Sequence, residues 1–166
     1  MFGGRTLIFP PVFYYVLAFF NLFLPLTIVA KIIPNIFASL MVIVVYLITK
    51  EITNNKNVAL FSAFMSGFIP IYFLETVNTV SIYSLTIPLI FLTIHYFIKM
   101  QKEKKYALHL VILIGLISRV HASIFVILLG LLFYLLIMKL EKMKISTSEI
   151  EIILFSIFII FWSQFT

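Results

Sequence analysis

Apolar residues run along this chain in long stretches, separated by short polar or charged gaps. Ile33 to Thr49 is one such run, closed by Lys50-Glu51 and the polar segment Thr53-Asn54-Asn55-Lys56-Asn57. Val58 to Phe73 follows, then Ser81 to Ile98, which Lys99, Lys102, Glu103, Lys104 and Lys105 close. Tyr106 to Ser118 and Ser123 to Met138 read as a tight hairpin around Arg119 and His121. A charged loop from Lys139 to Glu151 leads to Ile152 to Phe165. A helix crosses a hydrocarbon core of roughly 30 Å with about 20 apolar residues. In lipid, backbone donors and acceptors must be satisfied within the segment or by a closed barrel. These runs are too uniformly apolar for the alternating strands of a barrel. The pattern therefore predicts an all-α membrane protein with about six transmembrane helices.

The first run, Pro11 to Leu24, is of another kind. Pro10-Pro11 opens it, and Asn21 and Pro25 interrupt it. Some 14 helical residues reach only about 21 Å, short of a crossing. It is expected to be a short juxtamembrane or re-entrant helix. A secretory signal is the alternative, since Arg5 precedes the apolar stretch.

Composition narrows the classes further. Of 166 residues, 63% are hydrophobic and 11% charged, against about 45–50% and 25% in soluble domains. That excludes a soluble enzyme, a disordered tail and a nucleic-acid binder. With no cysteine, disulfides, thiol nucleophiles and cysteine-ligated metals are excluded as well. All six acids are Glu; there is no Asp. The net charge is +6, and nine of the twelve Lys and Arg residues lie in the gaps Lys50–Asn57, Lys99–Lys105 and Lys139–Glu151. Those gaps are two crossings apart, so they share one face, and short Lys-rich loops stay cytoplasmic. The opposite face carries Lys31, Glu75–Asn78 and Arg119–His121. No internal repeat or long linker divides the chain, so residues 1–166 read as a single transmembrane domain.

Several segments, taken in order, carry a family resemblance. Gly3-Gly4-Arg5 and Phe9-Pro10-Pro11-Val12-Phe13-Tyr14-Tyr15-Val16-Leu17-Ala18 are followed by Ala30-Lys31-Ile32-Ile33-Pro34-Asn35-Ile36, by Val45-Tyr46-Leu47-Ile48-Thr49-Lys50-Glu51, and by Gly67-Phe68-Ile69-Pro70. Over about residues 3 to 98 this order resembles multi-spanning glycosyltransferases that use polyprenyl-phosphate sugars. These are the protein O-mannosyltransferases and the oligosaccharyltransferase catalytic subunit, with archaeal forms closest in style. Tyr106–Met138 fits by hydropathy alone. The resemblance implies sugar transfer at the external face of a prokaryotic plasma membrane. It also implies a juxtamembrane Pro-Pro helix and, in a full-length relative, a divalent cation. The departures matter too. The family's catalytic acids sit in a loop before the Pro-Pro segment. A further acid follows the counterpart of Pro70, where this chain has Ile82, Tyr83 and Ser84. The resemblance thus implies a truncated member lacking the first span, the catalytic loop and a C-terminal portion, and inactive by itself.

Four residues are candidates for substrate binding: Glu75, Asn78, Arg119 and His121. No residue is assigned a catalytic role. Glu75 is the only acid on the external face; if residues 74–80 are helical, it shares a face with Asn78 and Thr79. A carboxylate beside an amide could orient a sugar hydroxyl or help hold a cation, while an ordinary interfacial helix end is the plain alternative. Arg119 presents a planar fork suited to phosphate oxygens, and His121 offers a second donor; the alternative is an Arg that snorkels to headgroups. His95 and His109 read as interfacial, having no partner at ligand spacing. A non-catalytic multi-pass scaffold or transporter fragment is the competing reading, with Ser62, Ser66, Thr86 and Thr93 as a possible polar path. Membrane lipid is the expected partner in either case.

The loops holding Lys56, Lys104 and Lys142 are expected on the cytoplasmic side. Single cysteines placed there, in this cysteine-free background, should resist an impermeant thiol reagent in intact cells. Labelling from outside at any one of them breaks the topology.

Overall fold

A computed structural model describes residues 12–163, all helix, turn and loop with no strand among them. Gly3–Arg5 and Pro10-Pro11 lie outside the described residues. The helices are α1 (Val12–Asn21), α2 (Leu26–Thr53), α3 (Lys56–Ser66), α4 (Pro70–Thr76), α5 (Tyr83–Lys102), α6 (Ala107–Val120), α7 (Ile124–Leu140) and α8 (Thr147–Trp162). A single 3-10 turn, Lys104–Tyr106, joins α5 to α6.

Among the described residues, fewer helices than the expected six are long and apolar enough to cross a membrane. Only α2 and α5 are long and apolar enough to span, or three units if α3 and α4 count as one bent span. The reason is length. Helices α6, α7 and α8 have 14, 17 and 16 residues, so they reach about 21, 26 and 24 Å against a core of roughly 30 Å. The Val58–Phe73 run is broken as well. Pro70 has no N–H to donate and disfavours helix in the residue before it. Ile69 is accordingly extended, Pro70 becomes the first residue of α4, and α3 and α4 bend by 55°. Helix α1, at 10 residues, is also too short to cross.

Proline has the opposite outcome at Pro34 and Pro88, which are buried inside α2 and α5 without ending them. Such prolines are tolerated where side chains re-satisfy the freed backbone. Beside Pro34, the Asn35 side-chain amide donates to the Lys31 carbonyl at 2.7 Å.

Helices α2 and α5 run parallel. Their C-terminal ends meet at Lys102, whose ammonium pairs with Glu51 at 2.6 Å. Their N-terminal ends meet through Val29, Ile33 and Leu85, on which Phe13 and Leu17 of α1 pack. The α3–α4 segment is the return between them. It is pinned midway by the buried Tyr72 hydroxyl, which donates to the Ala38 carbonyl at 2.8 Å. Helix α6 comes back along α5, with His109 stacked on Tyr96 near one end and His121 edge-on to Tyr83 near the other. Leu110, Ile114 and Ile117 of α6, Ile127 and Leu131 of α7, and Ile153 and Ile160 of α8 form the largest apolar core.

This arrangement gives the bundle two unlike ends. The lysine-rich end gathers the α2–α3, α5–α6 and α7–α8 connections. The lysine-poor end gathers the start of α2, the α4–α5 connection and the α6–α7 turn. Between them the outer surface is as apolar as the interior: Leu60, Phe61 and Phe64 on α3, Ile112 on α6, and Val126 and Phe133 on α7 are all exposed. Patches of that extent need an apolar solvent.

Tyr72→Phe removes one buried interhelical hydrogen bond and leaves its acceptor in place. A loss of about 0.5–1.5 kcal/mol is expected, measured by reversible unfolding in mixed micelles. No change would mean that α4 is held by packing alone.

Candidate functional site

The four sequence candidates all fall at the lysine-poor end, but not in the arrangement that a helix over residues 74–80 would give. Helix α4 stops at Thr76, and Asn78 has a left-handed backbone with φ of 58°, a conformation that Asn adopts more readily than most residues. Glu75 and Asn78 therefore do not share a helical face. Thr79 still closes locally, its hydroxyl donating to the Glu75 carbonyl at 2.8 Å. Asn78 instead turns to α2: its N–H donates to the Asn35 side-chain oxygen at 3.0 Å, and the Asn35 amide donates back at 3.4 Å. Asn35 sits inside one of the segments carrying the family resemblance and was not singled out as a site residue. An amide in an apolar run, next to a helix-interior proline, is the signal that marks it.

Glu75 is exposed on α4 and lines a groove of about 350 Å³ between α2, α4 and α5. The groove runs from Glu75 and Tyr83 down to Met41, Ile87 and Phe91, and its walls are apolar, Glu75 presenting its side-chain carbons. Tyr83 is the joint of the site. Its side chain lines the groove, and its ring lies edge-on to His121 with 5.3 Å between centroids.

His121 caps α6 and is half-buried. Its Nδ1 accepts the Ser123 N–H at 3.0 Å and lies 2.6 Å from the Ser123 hydroxyl. With Nδ1 accepting, the ring proton sits on Nε2, which is left as a donor. Burial holds the ring below the ordinary histidine value of 6.5, so His121 contributes an N–H without a charge. Two cations stand at this end, Lys31 near the start of α2 and Arg119 in the last turn of α6. Arg119 is the one that follows the α6 surface. It is exposed, on the same stripe as the exposed Leu108, Ile112 and Leu116. Tyr83 thus lines the groove with Glu75 and meets His121 with its ring, while Arg119 stands on the outer face of α6.

Other candidates change character. His109 remains exposed, whereas His95 is 4% exposed and packed between helices. The polar path of the competing reading is occupied: Ser66, Thr86 and Thr93 each donate to a carbonyl of their own helix, at 2.7, 3.0 and 2.9 Å. Among the described residues no group of three or more His, Cys, Asp or Glu side chains assembles.

The family profile described as dolichyl-phosphate-mannose-protein mannosyltransferase matches residues 9–164. No curated protein and no solved structure matches the chain.

The His121 geometry has a pH consequence. A histidine whose folded value is depressed contributes stability that is fully present above its unfolded value of about 6.5 and lost as pH falls toward the folded value. Its ring resonances should titrate with a midpoint below 6.5, and acidification through that window should destabilise native protein more than His121→Gln. A midpoint at or above 6.5 would sink the buried-neutral assignment.

Proposed function

Because the chain belongs to the dolichyl-phosphate-mannose-protein mannosyltransferase family, we propose that this integral membrane protein holds a polyprenyl-phosphate sugar at its lysine-poor end for transfer of the sugar. The lysine-poor end is then the external face of a prokaryotic plasma membrane, and the carrier enters from the surrounding lipid. The carrying observation is the position of Tyr83, which joins an apolar groove to a polar cluster. A polyprenyl phosphate has the same two parts, an apolar chain and an anionic head.

In this reading each residue has a separate task. The groove walled by Met41, Ile87 and Phe91 takes isoprenoid carbon. The guanidinium of Arg119 meets the phosphate oxygens, and His121 adds a neutral Nε2 donor. Positive charge at the departing phosphate is the electrostatic part of catalysis in such a transfer, usually its largest contribution. Glu75 and Asn78 face the sugar hydroxyls. Asn78 is held for this by Asn35, a pairing that fixes the α4–α5 connection against α2.

General-base activation of an acceptor needs a carboxylate within hydrogen-bond reach of it. The five other glutamates, Glu51, Glu103, Glu141, Glu149 and Glu151, lie at the opposite end. Glu75 is the one acid on hand, and it has an apolar groove rather than a second acid beside it. The chain is therefore assigned carrier binding, with the base supplied from outside these residues.

Binding of a polyprenyl-phosphate hexose to detergent-solubilised protein tests the proposal. Arg119→Lys keeps the charge but loses the planar fork and should bind more weakly than native, with Arg119→Gln weaker still. A charge-assisted contact of this kind is worth about 1.5–3 kcal/mol, or roughly ten- to a hundredfold in affinity. Ile87→Trp, which fills the groove, should weaken long carriers more than short ones. Equal affinity across native, Lys and Gln forms would reduce Arg119 to a headgroup anchor.

A further inference from the structure

At the lysine-rich end, where the C-termini of α2 and α5 converge, a second pocket of about 420 Å³ opens. Lys50, Glu51 and Asn54 line it from the α2 side, and His95, Lys99 and Lys102 from α5. Three ammonium groups face one carboxylate. Glu51 is committed to Lys102, which donates to its side chain at 2.6 Å and to its carbonyl at 3.2 Å. Lys50 and Lys99 have aromatic faces beside them, lying 5.8 Å from the Tyr46 ring centroid and 4.8 Å from that of Tyr106. Each helix C-terminus adds roughly half a negative charge. Subtracting both termini and Glu51 from three lysines still leaves the pocket positive.

His95 sets this pocket apart from a solvated lysine patch. It is 4% exposed, and its Nδ1 is the one buried side-chain nitrogen or oxygen without a hydrogen-bond partner among the described residues. Every buried hydroxyl in the bundle does better: Thr76, Ser84, Ser118 and Ser156, like those already described, donate to carbonyls of their own helix or its first turn. A buried polar atom left unsatisfied is destabilising, so a position that keeps one calls for a partner. His95 lines the pocket, and the lysines beside it specify an anion.

We infer that this pocket binds a phosphate-bearing anion, with Lys50 and Lys99 meeting its charge and His95 Nδ1–H donating to a phosphate oxygen. The anion is the headgroup of an acidic lipid in the adjoining leaflet or free phosphate; the chemistry of recognition is the same. The site stands at the end of α2 and α5 opposite the carrier site and does not depend on that assignment.

The test uses the full chain in lipid nanodiscs, with the ring nitrogens of His95 observed by NMR. In one arm phosphatidylglycerol replaces part of the phosphatidylcholine; in the other, inorganic phosphate is titrated into phosphatidylcholine discs. A saturable shift of His95 in either arm is expected, and the arm that produces it identifies the source. Lys50→Gln and Lys99→Gln should each weaken binding about fivefold, the contribution of one lysine near a charged surface. Lys144→Gln, at the same end but outside the pocket, should leave it unchanged. His95→Gln should weaken binding with the lysines intact. Two results would overturn the inference: no saturable His95 shift in either arm, or a loss in Lys144→Gln equal to that in Lys99→Gln, which is diffuse surface attraction.

Discussion

The parallel alignment of α2 and α5 is the constraint from which the rest of the molecule follows. Lipid tails are as apolar as leucine, so helices in a bilayer gain little from burying apolar surface against each other. They associate through close packing and hydrogen bonds. Here the pair is fastened at both ends by different chemistry, the Lys102–Glu51 ion pair at one and the Phe13, Leu17, Val29 and Ile33 cluster at the other. Parallel helices also align their dipoles, placing both negative ends together. Lys50, Lys99 and Lys102 stand in the last turns where that charge gathers. The two ends of the bundle consequently differ in how much charge they carry as well as in shape.

A second regularity is how little polarity the interior leaves open. Hydroxyls that sequence alone presents as a possible substrate path are turned back onto backbone carbonyls three or four residues earlier. Thr86 and Thr93 spend their one donor within α5 itself. Polarity that remains available is thus concentrated at the ends. At one end a tyrosine that lines an apolar groove also meets an imidazole; at the other, lysines and a buried imidazole line one pocket. The two arrangements suit the two halves of an amphiphile differently, the first its chain and head together, the second its head alone.

Much of this was legible from residue order. The lysine clusters separate the two ends because charge is excluded from hydrocarbon whatever the packing, and the family segments from Phe9 to Pro70 can be read in sequence. The all-helical class follows from the same exclusion. The number of crossings was not legible, because hydropathy counts apolar residues and does not see where a helix stops. Pro70 breaks the chain while Pro34 and Pro88, buried inside α2 and α5, do not. The helical face assigned to Glu75 and Asn78 failed for a similar reason: a left-handed Asn78 is selected by its bond to Asn35, 43 residues away. His95 looked interfacial because it lies four residues from Lys99, yet it points into the contact with α2.

The bent return between α2 and α5 bears on how the chain enters the membrane. Parallel neighbours can form only if the segment joining them completes a passage from one side to the other. The α3–α4 segment carries the chain from the end of α2 back to the start of α5 with a 55° break at its centre and a short second half. Should it stay on the side where α2 exits, α5 would be threaded upside down, and Lys102 would emerge far from Glu51. The ion pair and the Tyr72 clasp are thus available only to a correctly threaded chain, and during biosynthesis they would retain that orientation after the translocation machinery has let go.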